Sequence, residues 1–460
     1  MSDVQEKESP VSRYLSSVGE PWLGIYCIVA AFGTYFCMYA FRKPFTAGTF
    51  EELTFAGVAF KTVLIASQVS GYTISKFIGI KVISEMPAHL RAVSIIVLIG
   101  IAELALLGFG LVPAPWNMIM LFINGLPLGM VFGLVLAYLE GRRNTEALSA
   151  GLCASFIVSS GVVKSVGRWL ILDFGFSDFW MPFYTGLIFL PALLFFVWML
   201  NQIPPPTHVD RQLRRERKPM TAGDRWHFLQ KHGVGLGMLI TVFILLTVVR
   251  SIRDDFGVEI WQKLLPGEDE EPAIYSKTET LIAFAVVIVN GLAINIRSNR
   301  AALLGSLWLL AAGFLLTLGA IAGYGMGILP PFPFMVLVGL GLYVPYVAYH
   351  TTIFERLIAS VQESANIGYL MYLADAVGYL GYVAVMVFKN RGSGDLNMLT
   401  LFNSVTLSVG IFSLVLTAVM LAYYAKRLPR GSFDVTDELK GNADIDSVSS
   451  GESILGEGKL

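Results

Sequence analysis

Twelve stretches of the chain are apolar on every face, rather than along one helical stripe or at alternate positions. They span about 21–42, 58–80, 92–112, 115–138, 147–172, 180–200, 234–255, 276–296, 301–322, 333–354, 364–388 and 400–424. A bilayer core about 30 Å thick takes about 20 apolar residues per helix, which is the length of these runs. Lipid offers the backbone no hydrogen bonds, so a chain crosses it as helices or as a closed barrel. Runs this long and continuous predict helices, hence an all-α polytopic membrane protein with twelve transmembrane helices.

Most short connectors carry Gly, Pro, Asn or charge. Two polar segments stand apart. "NQIPPPTHVDRQLRRERKPMTAGDRWHFLQKHG" (201–233) divides the runs into two sets of six, and the stretch after Arg430 is polar, acidic and rich in Ser and Gly. The predicted organisation is an N-terminal segment (1–20), a first six-helix bundle (21–200), a basic linker (201–233), a second bundle (234–425) and a disordered acidic tail (431–460). "MSDVQEKESPVSRYLSS" lacks a positive n-region with a cleavage site, so the first helix itself is expected to direct insertion.

Composition agrees. The chain is 55% hydrophobic and 15% charged, with mean hydropathy +0.64, against about 25% charged residues in soluble domains. Net charge is -1 and carries no information about partners; its distribution does. Lys and Arg gather on one side: Lys81 and Arg91, Arg142 and Arg143, Arg211 to Lys231 of the linker, Arg297 and Arg300, Arg356, and Lys426 to Arg430. The opposite side has the acidic "GEDEEPA" and the uncharged "VPAP". By the positive-inside rule both termini are cytoplasmic, in a multi-pass cell-membrane protein. Between two sets of six helices the basic linker reads as topology, not as a nucleic-acid site. Cys27, Cys37 and Cys153 lie in apolar runs without metal or disulfide spacing and read as packing residues.

The two halves resemble each other. Helix 1 ends "AFRKPF" and helix 7 ends "SIRDDF", which places Arg42 and Arg253 in matching R-x-x-F sequences 211 residues apart. Helix 2 opens with Lys61 and helix 8 with Lys277; each is followed 20 residues later by a basic residue, Lys81 or Arg297. "KSVG" at Lys164 and "DAVG" at Asp375 are again 211 apart. Matches at nearly one offset, in helices of the same ordinal position, predict two pseudo-symmetric parallel repeats.

On these features the chain resembles the major facilitator superfamily of transporters over about 15–430. That family has six plus six helices, a long basic central loop, and a signature between helices 2 and 3 that Gly71, Ser75, Lys76, Gly79 and Lys81 match in part, with Ser75 where the family has Asp. "YLEGRRNTEA" after helix 4 is similar to the family's acidic-basic segment there. The Arg42 and Arg253 pair resembles the organophosphate:phosphate antiporters, in which one arginine from each half holds the phosphate. The resemblance also implies that helix 5 packs on helix 8 and helix 2 on helix 11, which would bring Lys164 toward Glu279 and Lys61 toward Asp375.

Ionisable groups inside a bilayer are costly and are usually functional or paired. Lys164 and Asp375 lie roughly 13 and 20 Å inside the outer surface, too deep to snorkel. Arg42, Arg253, Lys61 and Lys277 fall near helix ends, where a headgroup anchor is the competing role; the repeat and the bidentate fit of guanidinium to carboxylate or phosphate favour a binding role. Glu279 is within a turn of Lys277 and could simply neutralise it. Tyr343, Tyr346, Tyr349 and His350 form one stripe of helix 10, which can hydrogen-bond a polar solute or pack against neighbours. Gly125, Gly129 and Gly133, at i, i+4 and i+8, read as a close-packing face, and Pro127 and Pro345 as bends.

No P-loop, metal cluster or convincing nucleophile–base pair appears, so an enzyme is not expected, and neither is a cofactor. The expected function is secondary transport of a small organic anion, phosphorylated or not, by rocking two halves about a central site; a monomer is the expected unit. Arg42 and Arg253 hold the anion; Lys61, Lys164, Lys277, Tyr346, Tyr349 and His350 line the site. Asp375, Glu279, Asp254 and Asp255 are candidate proton carriers, because a carboxylate in low dielectric holds its proton more tightly. The alternatives are a proton-coupled carrier of another polar solute, or a receptor on a transporter fold signalling through the linker or tail.

Overall fold

The computed structural model describes residues 9–51, 53–139, 145–205, 222–267, 270–294, 296, 298–361, 367–389 and 397–428. The expected arginines 142, 143 and 297, most of the basic linker and the acidic tail lie outside these residues. The described residues are all-helical apart from a two-residue-per-strand hairpin, Thr54–Phe55 with Val58–Ala59.

A short helix α1 (Pro10–Ser17) precedes the first spanning six, α2 (Glu20–Arg42), α3 (Phe60–Glu85), α4 (Arg91–Leu111), α5 (Met118–Leu139), α6 (Thr145–Leu172) and α7 (Met181–Asn201). The second half comprises α8 (Ala222–Asp255), a short α9 (Gly257–Leu264), α10 (Ala273–Ile294), α11 (Asn299–Gly325), α12 (Pro331–Ala348), α13 (Phe354–Val361), α14 (Ile367–Lys389) and α15 (Met398–Arg427). A helix stands at each of the twelve expected spans, and α12 and α13 form one span. Among the described residues ten helices meet the length and apolarity needed to cross a bilayer, and α14 adds the shorter apolar stretch Ala374–Met386. The remaining span, α3, is diluted by Lys61, Lys76 and Lys81. The expected boundaries missed that α8 begins at Ala222 instead of about 234, and the chain after Asp255, outside the expected spans, forms α9.

Large apolar side chains face outward along these helices, among them Leu104 (68% exposed), Trp308 (66%) and Leu292 (67%). In water such a surface would be a liability; in lipid it is the solvated face. Helix contact then depends on close backbone approach rather than on expelling water. The α3–α5 crossing shows this directly. A Cβ on Gly125 would stand 2.2 Å from the Gln68 carbonyl oxygen, and one on Gly71 would stand 2.2 Å from that of Phe122. The packing role read for Gly125 and Gly129 therefore holds.

The halves meet through α3 against α14 and α6 against α10, the helix 2–11 and 5–8 contacts that were expected. Pro345 interrupts the α12 hydrogen-bond ladder, and a π turn at Tyr349–Ile353 follows before α13. Such turns widen the helix by a residue. His350 lies in this one.

Candidate functional site

Two clusters of buried charge lie on the contact between the halves. The first is at the ends of α2 and α8, on the side opposite the central linker. There α8 terminates in Asp254 and Asp255, and Lys43 follows α2. Lys43 Nζ contacts Asp254 at 2.8 Å and also bonds Asp255. Lys164 of α6 lies 2.5 Å from Asp254 Oδ1 and donates to Ser160 Oγ at 2.7 Å. Ser160 in turn donates to Asp254, and the Tyr382 hydroxyl donates to Asp255 at 2.8 Å. Lys61 binds Glu259 of α9 at 2.6 Å and the Thr46 carbonyl at 2.8 Å. Arg168 forms a two-pronged pair with Glu270, which also accepts from Tyr275 at 2.8 Å. Arg253 binds Glu279 at 2.6 Å and the Met335 carbonyl at 3.1 Å. Five cations thus face five carboxylates, and all these pairs except Arg253–Glu279 join one half to the other. Charges desolvated this far persist only when paired and hydrogen-bonded, as these are. The cluster forms a neutral plug.

Two expected pairings are corrected here. Lys164 meets Asp254 rather than Glu279, although α6 and α10 do pack: a Cβ on Gly161 would stand 2.7 Å from Glu279 Cβ. The Glu279 carboxylate is turned to Arg253, whose guanidinium reaches it within the same half. Lys61 meets Glu259 rather than Asp375. It opens α3, whereas the Asp375 partner, Lys76, lies fifteen residues further on, roughly 22 Å along the helix. Arg42 and Arg253 are not headgroup anchors either; each is 2% exposed.

The second cluster lies deeper. Lys76 of α3 contacts Asp375 of α14 at 2.5 Å across the halves, and His350 Nε2 is 3.7 Å from the other Asp375 oxygen. The Arg42 guanidinium carbon sits 3.8 Å above the Tyr72 ring and that of Arg250 sits 4.4 Å above the Tyr346 ring. Tyr72 packs edge-on against Tyr379, and Phe156 against Tyr346, each pair drawn from opposite halves at 5.2 and 5.7 Å. Within this cluster, lined also by Tyr35, Tyr39 and Phe132 and with Arg42 behind the Tyr72 ring, lies a chamber of about 20 Å³, room for about one water. Among the described residues neither Arg42 nor Arg250 is paired with a carboxylate, and the Nε of each has no hydrogen-bond partner. The aromatic faces offset part of their desolvation. The Arg42 carbonyl is held by Gln68, itself bonded to Asn124, so the end of α2 is fixed from within its own half.

Of the sequence candidates, Tyr346, His350 and Asp375 border the chamber and Arg42 lies behind its Tyr72 and Tyr379 walls, while Arg253, Lys61, Lys164, Glu279, Asp254 and Asp255 belong to the plug. Lys277 lies at the rim, paired with Glu271, both side chains 58% exposed. Tyr349 donates to the Leu239 carbonyl at 3.0 Å and packs away from the chamber. Sequence reasoning missed Arg250, Lys76, Lys43, Arg168, Glu259, Tyr72 and Tyr379 as site residues. Arg250 was detectable: it lies three residues before Arg253, hence on the same face of α8 and one turn deeper.

Two bundles of six helices around charged, aromatic-lined contacts make this a membrane protein with the fold of the major facilitator superfamily of transporters. The chain superposes on the nucleoside transporter NupG in two crystal structures (TM-scores 0.55 and 0.54, 16% identity in both). These cover 87% of this chain and 99% and 98% of that one. It also superposes on a D-xylose-proton symporter (TM-score 0.53, 16% identity, 86% of this chain and 96% of that one). No protein of curated function matches the sequence. Residues 44–427 match a family described as of unknown function, DUF5690, and the chain belongs to it.

Proposed function

We propose that the protein is a secondary transporter of a small organic anion, working by alternating access between its two halves. One observation carries the reading: Arg42 and Arg250, one from each half, are buried at the chamber, Arg250 in its wall and Arg42 behind Tyr72, and have no carboxylate partner among the described residues. A guanidinium is always charged and presents a planar fork to carboxylate or phosphate. Drawn from opposite halves, the two can close on one anion and so couple binding to rocking. Arg250 takes the role that the repeat gave to Arg253, because Arg253 is neutralised by Glu279.

The plug supplies the gate. Its cross-half pairs hold the face opposite the linker shut, and rocking must break them. With the basic linker facing the cytoplasm and both termini beside it, the plug closes the outer face, in the cell membrane. Purified protein in liposomes tests the proposal. Uptake of radiolabelled methyl phosphate or phthalate, lost in Arg42→Ala and Arg250→Ala, is expected. Uptake confined to neutral solutes such as xylose or uridine refutes it.

Proton coupling has its own support. Asp375 is held between Lys76 of the other half and His350, so rocking that parts Lys76 from it leaves a carboxylate and an imidazole able to take up a proton. Uptake with and without a pH gradient separates symport from exchange.

A further inference from the structure

We infer that the solute is divalent. The inference rests on the transport reading above and deepens it. The plug is balanced, cation for carboxylate. The chamber is not. Arg250 and Lys76 line it and Arg42 stands behind its Tyr72 wall, with Asp375 as the one carboxylate of the cluster among the described residues, which leaves two surplus positive charges. His350 adds none when neutral. Buried charge without a counter-charge is among the costliest arrangements in a protein, and aromatic faces offset it only in part. A bound dianion cancels the surplus; a monoanion leaves one charge uncompensated.

The placement of the three cations fits this division. Arg42 and Arg250 come from opposite halves, and each is held over a tyrosine face rather than in a carboxylate pair. A dianionic head can therefore take Arg250 directly and Arg42 once the Tyr72 ring turns aside, while Lys76 stays with Asp375. The phenol of Tyr379 is the group that bears most on the count, since its ring lies 5.5 Å from the Arg42 guanidinium and 5.6 Å from the Lys76 ammonium. Were it ionised, the surplus would fall to one. Tyr379→Phe therefore belongs in the test.

The experiment is binding of matched anion pairs to the full chain in detergent, read by thermal shift. Methyl phosphate is compared with dimethyl phosphate, and phthalate with benzoate, at about pH 8, where a phosphate monoester is divalent. The divalent member of each pair is expected to bind about tenfold tighter or better, about 1.4 kcal/mol, and Tyr379→Phe is expected to keep that order. Equal affinity within each pair overturns divalency while leaving an anion transporter standing. A monoanion preference in wild type that Tyr379→Phe reverses also overturns it, by placing the second negative charge on the protein. Stabilisation by xylose or uridine and by neither anion of any pair removes both the inference and the reading beneath it. Absence of binding by all four anions overturns the inference as well.

Discussion

The plug and the chamber are built from the same materials and differ in their accounts of charge. Both bury Lys and Arg side chains where the halves meet, and both have Lys–Asp contacts of about 2.5 Å. In the plug each cation has a carboxylate; at the chamber two guanidinium groups have, among the described residues, aromatic faces and no carboxylate. Desolvation is costly in both, and pairing offsets it in one alone. Burial and charge by themselves therefore do not mark a binding site. A deficit of counter-charge does, because it is the part of the cost a ligand can remove.

The sharpest way to break this comparison is to remove one arginine from each cluster, three residues apart on the same helix. Arg250→Ala takes away a cation with no carboxylate partner among the described residues, so it leaves none of these stranded. Methyl phosphate binding is expected to fall about 100-fold or more, about 2.7 kcal/mol, while the protein stays folded. Arg253→Ala strands Glu279, and its main effect is expected on thermal stability. If the two variants exchange these phenotypes, the repeat-matched pair Arg42 and Arg253 is the site and the chamber reading fails.

That exchange of roles shows what the sequence could and could not convey. The twelve spans were legible because lipid leaves a continuous apolar signal, and the α3–α5 crossing was legible because Gly125 and Gly129 recur on one face. The ion pairs were not. Which carboxylate a lysine reaches depends on side-chain direction and on depth along neighbouring helices, and the repeat constrains neither. Lys164 was assigned by helix packing to Glu279, and that packing is real, but Asp254 competes from the end of α8. Lys76 was absorbed into the motif between helices 2 and 3, which hid its depth. The asymmetry at Asp254 and Asp255, against Lys43 and Pro44 in the first half, was visible in sequence. Its meaning, an inter-half bond from Lys43 to both carboxylates, needed the fold.

Next in size is the balance of the plug. Asp254→Asn removes the carboxylate shared by Lys43 and Lys164. Breaking a buried pair from one side costs about 3–5 kcal/mol, so a drop of several degrees in the unfolding temperature is expected, with anion affinity little changed. Replacing Asp254 by Leu and Lys164 by Met together removes both partners, and most of the stability is expected to return. A double variant as unstable as the single one would mean that the plug is held by hydrogen bonds such as Ser160 to Asp254 rather than by charge balance.

The count in the chamber is open to a similar cycle. Lys76→Ala lowers the surplus from two to one, and methyl phosphate affinity is expected to drop about tenfold. Lys76→Ala combined with Asp375→Ala restores a surplus of two, and affinity within about threefold of wild type is expected. If the double variant binds as poorly as the single one, Lys76 acts by direct contact and the net charge is not what the ligand reads.

Lys277 gives the smallest effect and fixes the outer limit of the comparison. It was a binding candidate on the strength of its repeat position opposite Lys61. The two lysines now differ in surroundings: Lys61 is 3% exposed and bound to Glu259, whereas Lys277 is 58% exposed and bound to Glu271 at the rim. Exposed pairs contribute about 0–1 kcal/mol and are screened by salt within about 8 Å at physiological ionic strength. Lys277→Ala is therefore expected to change methyl phosphate affinity less than about twofold, with no change in unfolding temperature beyond about a degree. Affinity measured in low and physiological salt checks it. A larger loss confined to low salt would show Lys277 drawing the anion in from a distance; a larger loss at both would extend the binding field beyond the chamber, past the plug, to the rim.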